Sequence, residues 1–177
     1  TNAYEKREFL ASSDMNFRPV NLVTGPDGCL YIVDMYHGII QESAWTKPDS
    51  YIHPQIKRKQ LDLNKNRGRI YRVVHDDFKP GKRPQLLQAS PEELVGYLSH
   101  PNGWWRDNAQ KLLVLKQDKK VVAALEKLAL GEKTFLEKLA FWKVDQPSVG
   151  RLHALWTLEG LESVGEDFLI RMLADKE

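Results

Sequence analysis

The chain has 177 residues, enough for one ordinary domain or two small ones with a buried core. Its 26 basic and 24 acidic residues leave a formal charge of +2, which points away from nucleic acid and from anionic membrane surfaces as partners. The single cysteine, Cys29, excludes an internal disulfide framework and any multi-cysteine metal site, and no stretch approaches the ~20 apolar residues of a membrane helix.

Thr1 to Phe9 are polar and charged, without the apolar run of a signal peptide. Thr1 to Ser13 are open between a preceding helix and a preceding strand, and the order of residues 1–16 is not legible in the sequence. From Phe17 the chain turns β-like. Phe17 to Val23 and Cys29 to Asp34 are short runs rich in β-branched and aromatic residues, and they flank the turn Thr24-Gly25-Pro26-Asp27-Gly28. That pattern predicts a hairpin, because Asp27 and Gly28 tolerate the positive φ of a tight turn. Tyr51 to Leu61 form a candidate short helix, Asp62 to Gly68 a polar turn, and Arg69 to Val74 a third strand. Three strands alone expose two edges and an apolar face. They are either a small α+β subdomain or the last blade of a propeller whose other blades precede Thr1.

The second part is helical. Ser90-Pro91-Glu92-Glu93 reads as a capping box, with proline at the first helical position, followed by the stripe Leu94, Val95 and Leu98. His100-Pro101-Asn102-Gly103 ends that helix. A second helix from about Trp104 to Lys116 aligns Trp105, Ala109, Leu112 and Leu113. Asp118 caps a third, whose stripe is Val121, Val122, Leu125, Leu128 and Ala129.

The pattern then repeats. Arg106 and Arg151, Ala109 and Ala154, Asp118 and Ser163, Leu128 and Leu173, and Leu94 and Leu139 are all pairs 45 residues apart. Ser163 with Glu166 reads as a second capping box. A period near 45 with antiparallel helix pairs is the mark of HEAT or armadillo-type stacking, in which each unit buries its stripe against its neighbours. The fold expected is α+β by segment: residues 1–80 as the closing strands or last blade, 81–89 as a linker, and 90–177 as HEAT-like repeats of an α-helical solenoid. Nearly two units fit, and the stack looks interrupted at its C-terminal end.

Chemistry is sparse. Asp62-Leu63-Asn64-Lys65-Asn66 has the oxygen spacing of a calcium loop, but Arg67 stands where that loop needs glycine and Val73 where it needs glutamate, so a polar turn is the default. Lys57-Arg58-Lys59 and Arg67 to Arg72 form a basic stretch that reads as a solvated face. No histidine pair has metal-ligand spacing, so no metal site is expected. At the end of the second strand, Asp34-Met35-Tyr36-His37-Gly38 places acid, phenol and imidazole in a row. Arg18, before Pro19, either binds an anion or pairs with Asp34. Trp104 and Trp105 read as packing between helices.

Several of these segments together resemble a large family of bacterial proteins named membrane-bound dehydrogenases. The segments are Phe17 to Leu22, Gly25 to Tyr36, Gly38 to Gln41, Gly68 to Arg72, His100 to Asp107 and Leu152 to Gly160. The resemblance covers nearly the whole chain in order. It implies a β-propeller similar to the quinoprotein glucose/sorbosone dehydrogenases, followed by HEAT-like repeats and, in many members, a c-type cytochrome domain. It further implies a periplasmic or envelope location, with pyrroloquinoline quinone (PQQ) and calcium as cofactors of the parent. The chain itself has no Cys-x-x-Cys-His haem motif and lacks the other blades, so no cofactor is expected within it. Arg18, Asp34, Tyr36 and His37 are the nominated cofactor- or substrate-binding positions, as blade-end residues.

The function expected is therefore that of a fragment of a quinoprotein-dehydrogenase-like carbohydrate oxidoreductase, inactive alone, with the repeats as an interaction module that orients a redox partner or another domain. The alternatives are a non-catalytic propeller and HEAT-repeat scaffold for proteins or glycans, and a free-standing helical adaptor. Expected partners are the upstream blades, further repeats and a cytochrome domain, with no nucleic acid and no membrane insertion by this segment.

Overall fold

The computed structural model describes residues 5–40, 46–132 and 147–176. Gln41 of the family resemblance and Leu139 of the repeat pattern lie outside them. The described chain is α+β, with one antiparallel three-stranded sheet and six α-helices. It forms two compact units. One comprises the residues up to Val23 with Cys29–Phe78, and the other comprises Thr24–Gly28 with the residues from Lys79 onward.

In the first unit, β1 (Pro19–Thr24), β2 (Leu30–Asp34) and β3 (Arg69–Val73) lie in the order β1-β2-β3. β2 and β3 pair in antiparallel register, Leu30 opposite Val73, Ile32 opposite Tyr71 and Asp34 opposite Arg69. Alternation puts Leu30, Ile32 and Asp34 on one face, and there Ile32 and Asp34 are buried. The other face carries Val33 opposite Ile70. Every residue of β1 and β3 is exposed; Leu22 is 60% and Ile70 68% accessible. α1 (His53–Lys59) begins with a proline in its first turn and ends at Gln60, whose φ of 53° turns the chain left-handed. It buries Ile56, beside Leu61.

The second unit holds α2 (Pro91–Tyr97), α3 (Gly103–Lys116), a 3-10 turn (Lys119–Val121) leading into α4 (Val122–Ala129), α5 (Pro147–Gly160) and α6 (Glu166–Leu173). Both hydrogen bonds of the Ser90–Glu93 capping box form. Asn102 accepts the Trp104 amide at the start of α3, and Asp118 accepts the Lys120 amide. The predicted box at Ser163 does not form. Its hydroxyl donates to the Leu161 carbonyl, and α6 starts later, with Gly165 as an extended N-cap that makes no side-chain bond.

α3 packs on α2, and α5 packs on both α3 and α4. The core contains most of the predicted stripes, Leu94, Val95 and Leu98 of the first helix region, then Trp105, Ala109 and Leu113, then Val121, Leu125, Leu128 and Ala129, with Ala154 of the recurrence; Leu86, Leu158, Leu161 and Phe168 join it from outside the predicted stripes. Leu112 and Val122 are only partly buried against it.

Candidate functional site

The nominated residues sit where β2 ends. Asp34 is 1% exposed, and its Oδ1 accepts two main-chain amides, from Arg18 at 2.7 Å and from Tyr36 at 2.8 Å. The Met35 amide returns a bond to the Arg18 carbonyl at 3.0 Å. One carboxylate oxygen thus ties the entry of β1 to the exit of β2 and holds Tyr36 in a left-handed conformation, φ 46°. The other oxygen, Oδ2, is buried with no hydrogen-bond partner among the described residues.

Arg18 does meet Asp34, but through its backbone amide. Its guanidinium donates instead to the carbonyls of Phe17 and Gly38, at 3.0 and 3.2 Å. Gly38 is obligatory for this close approach, since a Cβ there would lie 2.7 Å from Leu61 Cβ and 2.9 Å from Asn16 Oδ1.

The Tyr36 hydroxyl donates to Asp14 Oδ2 at 2.7 Å, and the Arg69 guanidinium lies 3.4 Å from the centre of the Tyr36 ring. Asp14 Oδ1 accepts the amide and the side-chain nitrogen of Asn16. These bonds hold the Asp14 carboxyl below its usual range, the Asn16 amide first and the Tyr36 hydroxyl second. His37 is half-buried beside the cluster, and none of these bonds includes it.

The structure therefore gathers Arg18, Asp34 and Tyr36, leaves His37 adjacent, and adds Asp14, Asn16 and Arg69, which the sequence reading had not nominated. The Asp14-x-Asn16 spacing, a local side-chain-to-backbone turn just before Arg18, was the available signal. Arg69 is found only through strand register, because it stands opposite Asp34.

Chemically, most polar groups of the cluster are spent on one another, whereas Asp34 Oδ2 and Asn16 Oδ1 are buried with no hydrogen-bond partner among the described residues. Among the described residues, no three His, Cys, Asp or Glu side chains gather as metal ligands, and Asp62 of the loop with calcium-like spacing pairs with Lys57 at 2.5 Å. No helix among the described residues is long and apolar enough to cross a membrane.

A second polar constellation belongs to the helical unit. His100 to Arg106, which the sequence reading took as a helix stop and packing tryptophans, also clamps the turn of Thr24–Gly28. Asn102 Nδ2 donates to the Gly25 carbonyl at 2.9 Å and Trp105 Nε1 to the Pro26 carbonyl at 2.8 Å. The Trp105 ring is stacked with Tyr97 and with His100, at centroid distances of 5.2 and 5.0 Å. Arg106 closes the loop with bonds to the carbonyls of His100 and Pro101.

Residues 1–77 match a domain of unknown function (DUF7133), which spans the sheet and the cluster around Asp34. No curated protein and no solved structure matches the chain.

Proposed function

We propose that the sheet serves as one blade of a larger propeller in a quinoprotein-dehydrogenase-like carbohydrate oxidoreductase of the bacterial envelope. The helical unit acts as a HEAT-like solenoid that orients a partner such as a c-type cytochrome domain. The dehydrogenase half of this reading rests on the resemblance of the residue order to that family. The observation that carries the blade half is exposure. A three-stranded sheet with both outer strands exposed and Leu22 and Ile70 uncovered is unfinished as a solvated domain, whereas a blade buries such a face on its neighbour.

The residues of this chain do not by themselves fit the implied cofactors. PQQ is a polycarboxylate, and the cations nearest Asp34 are already committed, Arg18 to two carbonyls and Arg69 to the Tyr36 ring and the Tyr71 hydroxyl. On this reading PQQ and calcium belong to other blades, and Arg18, Asp34 and Tyr36 shape the rim of the blade rather than bind the cofactor.

The commitment of these two cations favours a second reading, a non-catalytic propeller and repeat scaffold for proteins or glycans. Calorimetric titration of a polypeptide carrying the complete propeller with PQQ and calcium, then dye-linked oxidation of a sugar panel, separates the two. Saturable binding with sugar-dependent turnover supports the oxidoreductase. Absence of both moves the assignment to the scaffold.

A further inference from the structure

We draw no further inference here: the strongest candidate, the open hollow of about 600 Å³ between residues 84–88 and α3, lined by Leu87, Trp104, Lys111 and Leu115 among others, carries nothing, because nothing in the structure shows what covers it.

Discussion

Asp34 illustrates how one residue can look like a site and work as a clasp. Its Oδ1 takes two part-buried main-chain amides, and a charged acceptor is worth ~1.5–3 kcal/mol per bond, with a further penalty for any amide left bare. Asp34→Ala should therefore destabilise the sheet by about 2–4 kcal/mol and abolish slow hydrogen exchange in β2. Asp34→Asn keeps the Oδ1 acceptor and should cost less. Equal stability of both variants and the unaltered chain would return Asp34 to the list of ligand-binding residues. The acid itself was legible in the sequence; its partners were not, because the Arg18 amide lies sixteen positions away and only strand pairing brings it near. Two histidines carry a second prediction at this scale. Burial, ahead of the Arg106 charge, lowers His100 and His153 below the usual imidazole range, and His100 Nδ1 accepts the Asn102 amide, which requires the unprotonated ring. A depressed folded value means that the unfolded chain binds protons first. The stability contribution is complete above about pH 6.5 and declines as pH falls through the lowered folded values. Urea denaturation followed by tryptophan fluorescence should give a lower midpoint at pH 5.5 than at pH 7.5, and His100→Gln should shrink the difference. An unchanged midpoint would refute the assignment.

Among the elements, two serines with the same apparent motif behave differently, and the comparison shows what a local pattern can and cannot specify. Ser90 is followed by Pro91, whose fixed φ starts the helix at the next residue, so the box with Glu93 closes. Ser163 is followed by Val164 and Gly165, and the glycine takes the extended N-cap conformation two residues later, leaving Glu166 at the first helical position. The motif count was right and the register wrong, because glycine competes for the cap at little conformational cost. Ser90→Ala should cost about 1 kcal/mol, whereas Ser163→Ala should stay within about 0.5 kcal/mol in the same denaturation assay. The strands were legible for a parallel reason: β-branched runs around Gly-Pro-Asp-Gly leave few alternatives. Which strand residues would be covered was not. In β1 and β3 alternation marks two faces, and burial depends on what lies against each of them. The helical stripes were legible in α2 to α4, and the 45-residue recurrence also selected Ala154, fully buried like Ala109; the same recurrence paired Leu128 with Leu173, which is 86% exposed, and missed the buried Phe168.

For the molecule as a whole, the decisive question is whether the sheet is finished. Ile70 stands opposite Val33, and among the described residues it is 68% exposed. As a small subdomain in its own right, this sheet keeps the Ile70 face in water, and a charge at position 70 has little effect on stability in any context. As a blade, it is a surface prepared for another sheet, and the same charge becomes a buried, unpaired one as soon as the neighbour is present. Ile70→Lys in this chain should leave the denaturation midpoint within about 0.5 kcal/mol and reduce concentration-dependent self-association in sedimentation velocity, because exposed apolar strands at a sheet edge invite pairing between copies. In a polypeptide carrying the complete propeller, the same substitution should cost at least about 2 kcal/mol. A cost in the longer polypeptide that the short chain does not share identifies the covered face as a blade interface. A small effect in both sinks the blade reading, and with it the structural support for the dehydrogenase.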